Sequence, residues 1–227
     1  MEGEGLKPQL IAIDGPVAAG KSSVGSLLAS KLSFVFFDTG MMYRAFTWKA
    51  ISLNVSLEDE STLSQLAAST SFDFSPSQGG SFSFLVDGQD LSSRLLCSEV
   101  EGKVSLISRV AGIRQAMVSK QRMLAQRGRV VMAGRDIGTV VLPWAELKIF
   151  LVASVEERAN RRYSELLQRG EKADFAAVLA ELRKRDEIDS QRSISPLKPA
   201  EDAIIIDTER LTLVQVVDRV YALAANR

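Results

Sequence analysis

Gly15-Pro16-Val17-Ala18-Ala19-Gly20-Lys21-Ser22 matches Gly-x-x-x-x-Gly-Lys-Ser/Thr, the pattern of a phosphate-binding P-loop. Its surroundings have the order such a loop needs. Before it, Leu10-Ile11-Ala12-Ile13-Asp14 is a short apolar run that predicts a buried strand. After it, Ser23 to Leu32 places apolar residues at helical spacing. A strand, a glycine loop and a helix start in that order turn backbone N–H groups toward an anion, and the helix end adds partial positive charge. Lys21 can reach β- and γ-phosphates, and the Ser22 hydroxyl can ligate Mg²⁺. A chance match in an ordinary loop would lack this context.

The rest of the chain sets bounds on what the loop serves. Its 227 residues suffice for one α/β domain, residues 1–227, with an insertion. Acidic and basic residues number 28 each, so no net field draws the chain to nucleic acid or an anionic membrane, and phosphate attraction must come from local arginines. Neutral charge and the lack of an obvious apolar stripe predict a monomer. There is no histidine, which excludes histidine triads, bases and metal ligands. The single Cys97 excludes an internal disulfide and suits a reducing cytoplasm; it is expected to be a buried or half-buried small side chain. The N-terminus has no apolar core of a secretion signal, and no stretch approaches membrane-spanning length.

Strand-like and helical segments alternate, which predicts a parallel sheet wrapped by helices. Five runs read as strands: Leu10–Asp14, Phe34–Asp38, Val130–Ala133, Leu147–Val152 and Ala203–Ile206. Helices are expected at Ser23–Leu32, Met41–Ile51 (entered through a cap at Asp38 or Thr39), Glu156–Gln168, Phe175–Ser190 and Leu213–Ala225. From Ser71 to Leu91 the alternation breaks. Phe72, Phe74, Phe82 and Phe84 alternate with polar residues, and Gln78-Gly79-Gly80 and Asp87-Gly88 are turn signals, so a small antiparallel unit is predicted there. Helices follow at about Ser98–Val110 and Ile113–Gln126. The insertion, taken as residues 62–112, lies between the second and third core strands, a position that favours substrate binding.

A P-loop alone fits a GTPase, a motor, a transporter subunit or a small-molecule kinase. No Asn-Lys-x-Asp base-reading motif is present, and Leu147–Val152 ends in Ala153-Ser154 rather than in the metal-holding aspartate of a motor. Instead Arg158, Arg161 and Arg162 follow at i, i+3 and i+4 on one helix face, either a solvated surface paired by the intervening acids or, where P-loop kinases place it, a short lid, here residues 155–172. Arg185, Asp189 and Arg192 form a second stripe that can grip a sugar hydroxyl and a phosphate or stay an exposed ion pair. Gly134-Arg135-Asp136 follows a core strand, and Tyr43 and Arg44 lie early in the helix after another. Ligands of open α/β sheets bind beyond the carboxyl ends of the strands, so these segments are expected to converge.

Taken together, Ile13-Asp14-Gly15-Pro16 with Gly20-Lys21-Ser22, Asp38-Thr39-Gly40-Met41-Met42-Tyr43-Arg44, Gly134-Arg135-Asp136-Ile137-Gly138-Thr139-Val140-Val141, Lys148-Ile149-Phe150-Leu151, Arg185-Asp186 and Ser195-Pro196-Leu197 resemble the bacterial cytidylate kinase family, over about Leu10 to Ala222. The resemblance implies a P-loop NTPase-type three-layer α/β fold with a five-stranded parallel sheet, an inserted antiparallel unit and a short helical lid. It implies transfer of the γ-phosphoryl group of ATP, with Mg²⁺, to CMP or dCMP. It places Gly15 to Ser23 on ATP, and Thr39, Tyr43, Arg44, Arg135 and Arg192 around the monophosphate. Ser105, Arg114 and Asp136 fall at the cytosine, Arg185 and Asp189 at the sugar, and Arg158 and Arg162 near the transferring group. Lys21, Arg135, Arg158, Arg162 and Arg192 would carry the catalysis.

Two positions depart from the family pattern. Thr39 stands where serine is more usual and keeps the hydroxyl. Ala133 stands where an acidic residue commonly precedes Gly-Arg-Asp, so no carboxylate acts from that position. Base choice follows from hydrogen-bond chemistry. A carboxylate such as Asp136 can accept from the cytosine N4 amino group and an arginine such as Arg114 can donate to its acceptors, whereas uracil would set an oxygen against the carboxylate. The rival readings are another small P-loop kinase, acting on shikimate, dephospho-coenzyme A or a different nucleotide, and a regulatory module that holds ATP without transferring it.

Overall fold

The sheet puts β1 (Leu10–Asp14) at its centre, and all five of its residues are buried. In the computed structural model, which describes residues 9–76, 82–91, 94, 95 and 97–226, two compact units are distinguished. One holds the chain as far as Asp38 and again from Ala125 on; the other is Thr39–Leu124.

In the first unit, β1 is flanked by β6 (Val130–Gly134) and β7 (Leu147–Val152), with β2 (Val35–Asp38) and β8 (Ile204–Asp207) at the edges. The order β2-β6-β1-β7-β8 is parallel throughout. Parallel strands need covering on both faces, which explains why β1, β6 and β7 read as continuous apolar runs rather than as alternations. One face is covered by α1 (Lys21–Leu32) and α8 (Leu213–Ala225): Ile11, Ile13, Val131, Ile149 and Leu151 pack with Val24 and Leu28 of α1 and Val216, Val217 and Val220 of α8. Gly25 lets α1 lie against β2, since a Cβ there would run into the Phe36 ring. Lys148 on β7 is buried, and its ammonium donates to the Pro143 carbonyl at 2.6 Å and to both Asp202 carboxylate oxygens at 2.9 Å. Two further helices, α6 (Val155–Gln168) and α7 (Phe175–Gln191), pair around Ala159, Val178 and Leu182.

The second unit carries α2 (Thr39–Ser52), α3 (Glu60–Ser69), α4 (Ser98–Ile107), α5 (Ala111–Ala125, whose last residue belongs to the first unit) and an antiparallel sheet of β3 (Phe72–Pro76), β4 (Phe82–Val86) and β5 (Gln89–Asp90). The Asp87-Gly88 signal is a two-residue hairpin joining β4 to β5. Both residues have positive φ, 49° and 78°, as a type I′ turn requires, and Gln89 pairs with Val86. Lys49 of α2 pins that turn, pairing with Asp87 at 2.5 Å and donating to Thr70 at 2.9 Å. The other turn signal, Gln78-Gly79-Gly80, lies outside the described residues. Cys97 corrects its expectation: it is exposed, because it sits at the N-cap of α4 on extended backbone with no side-chain cap bond.

The α/β class, the parallel five-stranded sheet and the antiparallel unit agree with the reading of the sequence. No helix among the described residues is long and apolar enough to cross a membrane.

Candidate active site

The P-loop leaves the carboxyl end of β1 with Gly15 at φ 147°, Ala18 at φ 59° and Gly20 at φ 93°. Gly15 cannot be replaced without rearrangement, since a Cβ would collide with the Leu151 carbonyl of β7. Gly20 is the N-cap of α1 in left-handed geometry, with open space around it, so backbone conformation rather than crowding selects glycine there. Lys21 follows as the first helical residue, 7% exposed, and its ammonium donates to the Pro16 carbonyl at 2.5 Å. Burial and the neighbouring Arg135 push its pKa well below the usual lysine value, opposed by Asp38, Asp14 and Asp189. An ammonium held this way gains most from an anion arriving in the loop.

Ser22 donates to the Asp38 carboxylate at 2.6 Å. Asp38, expected from the sequence only as a helix cap, ends β2 and stands in register with Ala133 of β6. The sheet end therefore keeps a carboxylate one strand away from the position where this chain has alanine. A hydroxyl and a carboxylate make a hard oxygen pair of the kind that suits Mg²⁺.

Two separated segments of the first unit meet through Asp189. Arg135, just beyond β6, donates to it at 2.9 Å, and the Arg192 guanidinium stands 3.8 Å away. Burial raises the Asp189 pKa, but Arg135, Arg192 and Arg185 outweigh it and hold the carboxyl below the usual carboxylate range. The stripe expected at 185, 189 and 192 is not wholly helical. α7 stops at Gln191, and Arg192 leaves on extended backbone with its side chain buried beside Asp189. The Ser195-Pro196-Leu197 segment then folds back, and the Leu197 amide donates to the Asp189 carbonyl at 2.8 Å.

The three arginines of α6 share a stripe but divide their partners. Arg158 is 4% exposed; its guanidinium pairs with Asp186 at 2.5 Å and donates to the Val17 carbonyl of the P-loop at 3.1 Å. Arg161 donates to Glu157 and to Thr208, and Arg162 to Glu165 at 2.9 Å. Val17 also packs its side chain into the α6–α7 apolar cluster. Ser154, where the sequence lacks the aspartate of a motor, is instead the cap of α6, accepting from the Glu157 amide.

Of the other expected residues, Asp136 is buried in the first unit directly after Arg135, and the rest belong to the second unit. Thr39 and Tyr43 are buried in α2. The Arg114 guanidinium of α5 lies over the Tyr43 ring, 5.7 Å from its centroid, and donates to the Ser108 carbonyl at 3.2 Å. Ser105 belongs to α4, one turn before Ser108, and its carbonyl accepts from the Ser108 hydroxyl. Arg44 pairs with Glu101 at 3.9 Å. Asp14, Asp38, Asp186 and Glu101 were not singled out from the sequence as site residues; each is an acid partner of an expected group or segment, and such partners carry no motif of their own.

A P-loop on the central strand of a parallel sheet, with a basic cluster at the strand ends, defines a P-loop α/β phosphotransferase fold. The family model for cytidylate kinase matches residues 11–226. A cytidylate kinase of Geobacillus sp. (strain WCH70) is 48% identical over 96% of this chain and 96% of its own, and one of Bacillus licheniformis is 46% identical over 97% and 98%. The chain belongs to the cytidylate kinase family. Among solved structures, an uncharacterized protein from Eubacterium ventriosum shares the fold with a TM-score of 0.53 at 14% identity, covering 97% of this chain and 100% of its own.

Proposed function

We propose that the protein is an ATP:CMP phosphotransferase that also accepts dCMP, giving ADP and CDP or dCDP. The observation that carries this reading is the buried Lys21 of a left-handed glycine loop, within the field of Arg135 and Asp189, in a chain nearly half identical to named cytidylate kinases.

Phosphoryl transfer asks little covalent chemistry of a protein. It asks for alignment of donor and acceptor and for compensation of charge on the moving phosphoryl oxygens. The amides of Gly15 to Ser23 and the Lys21 ammonium hold the ATP phosphates. Thr39, Tyr43, Arg44, Arg135 and Arg192 hold the acceptor phosphate, and Arg185 and Asp189 the sugar. Asp136, Arg114 and Ser105 read the cytosine. Asp136 accepts the amino proton pair that uracil lacks, and Arg114 donates to the ring acceptors. Arg158 and Arg162 complete the charge around the transferring group when their carboxylates, Asp186 and Glu165, yield to phosphate oxygens, which bind guanidinium forks in the same bidentate manner. Ser22 and Asp38 would hold Mg²⁺, which supplies further charge compensation when bound. The acceptor phosphate arrives ionised, so the lack of histidine is no obstacle.

Residues 62–112 serve as the acceptor-binding insertion and residues 155–172 as the lid that keeps water from ATP. The enzyme works as a monomer on small nucleotides, without nucleic acid or membrane. Its single exposed thiol suits the reducing cytoplasm, where we place it.

The test is a steady-state assay with ATP and, in turn, CMP, dCMP, UMP, AMP and shikimate. CMP and dCMP are expected to be preferred over UMP by about ten- to a hundredfold in kcat/KM, the equivalent of one unpaired buried polar contact. Equal use of UMP would refute the cytosine reading, and turnover of AMP or shikimate in place of CMP would refute the acceptor class.

A further inference from the structure

Asp14 is the last residue of β1 and stands directly before the P-loop, yet its side chain serves another segment. It is 4% exposed, and its two carboxylate oxygens accept from the backbone amides of Ile137 at 2.8 Å and Gly138 at 2.7 Å. These amides open the π-helical turn Ile137–Val141 that follows Arg135 and Asp136. The first amides of any helical turn have no partner within it, and burying them requires an acceptor from elsewhere. The turn closes on the other edge of the same peptide, since the Asp136 carbonyl accepts from Val140 at 2.8 Å and from Val141 at 3.1 Å. The peptide plane between Asp136 and Ile137 is thus held on both edges, its N–H by Asp14 and its C=O by the turn. A Cβ at Gly138 would press on the Lys148 side chain at 3.2 Å, while the Asp14 carboxylate, 3.4 Å away, would stay in ordinary contact. The register Asp14↔Gly134 sets the two strand ends side by side just before this constellation.

We infer that Asp14 is a positioning residue for the acceptor nucleotide: from the strand that carries the P-loop it caps the π-helical turn and fixes the aim of Asp136 and Arg135. The inference rests on the proposed role of Asp136 at the cytosine. Burial pushes the Asp14 pKa up to about 6 against the Gly138 and Ile137 amides, so at neutral pH it stays a carboxylate able to accept from both. An asparagine could accept from one amide only and would turn its own N–H₂ toward the other.

The experiment compares wild type with Asp14→Asn, Gly138→Ala and, as a reference, Asp136→Asn. For each, kcat/KM is measured for CMP and UMP, together with the Kd of a non-hydrolysable ATP analogue and the thermal midpoint. Asp14→Asn is expected to lower kcat/KM for CMP by about tenfold or more and to narrow the CMP:UMP ratio, while the analogue Kd stays within about threefold. Gly138→Ala crowds the capped turn against the Lys148 side chain without removing a charge and should give the same signature more weakly; it carries the test if Asp14→Asn does not fold. An unchanged CMP:UMP ratio in these variants, with the ratio altered in Asp136→Asn, overturns the inference alone. So does a loss of analogue affinity as large as the loss of CMP use, which would make Asp14 an anchor of the P-loop. An unchanged ratio in Asp136→Asn overturns the cytosine reading, and the inference with it.

Discussion

Lys21 shows at the residue scale how a site can be written against stability. Burial and Arg135 disfavour its charge, and the carboxylates of Asp38, Asp14 and Asp189 only partly restore it. Replacing it with alanine removes a buried ammonium that donates to the loop's own Pro16 carbonyl. Lys21→Ala is therefore expected to keep the fold, with a thermal midpoint no lower than wild type, and to lose about two orders of magnitude or more in single-turnover rate. A near-normal rate would remove the P-loop lysine from the mechanism. The lysine itself was legible in the sequence because the motif spacing fixes it. Its acid neighbours were not: Asp38 reaches Ser22 only because β2 and β6 end side by side, which no local pattern states.

Among the elements, those with strong boundary signals were read closely. β1 and β7 occupy the residues expected of them, and α8 begins and ends where the periodicity does. The start of α8 has a physical reason. Thr212 accepts from the Gln215 amide at 3.3 Å while the Gln215 side chain accepts from the Thr212 amide at 2.8 Å, a reciprocal capping box. Thr212→Ala should lower unfolding free energy by about 1 kcal/mol in urea titrations with CMP turnover unchanged; a change within error would mean the helix start is held by packing alone. Two elements escaped the sequence. α3 buries only Leu63 and Ala67, a stripe too thin to register as periodic, although Asp59 caps it through the Thr62 amide. The π-helical turn Ile137–Val141 holds two β-branched valines and an isoleucine, residues with little helical preference, and depends on an acceptor far away in sequence.

For the whole molecule, equal numbers of acids and bases leave pH sensitivity to a few buried groups. Asp14 has a folded pKa of about 6 against an ordinary 3.8, through burial first and through Asp136, with the amides and Lys21 opposing. Between those values the folded chain binds more protons than the unfolded one, so this group's contribution to stability falls as pH rises from about 4 to about 6. Asp189 has the opposite sign: its lowered pKa gives stability that is present above the ordinary aspartate value and is lost only as pH falls below it. Urea midpoints at pH 5 and pH 7 should therefore differ between wild type and Asp14→Asn, with wild type gaining relative stability at pH 5; parallel shifts in the two would show that Asp14 does not titrate there. The double hold on Val17, whose carbonyl takes Arg158 and whose side chain packs against the apolar cluster of α6 and α7, has a consequence for loop exchange. A glycine loop transplanted from an unrelated nucleotide-binding protein would still cradle phosphate, but with a polar residue at that place it would leave the helix pair unseated, so tolerance at this variable position is governed by a neighbour and not by the anion.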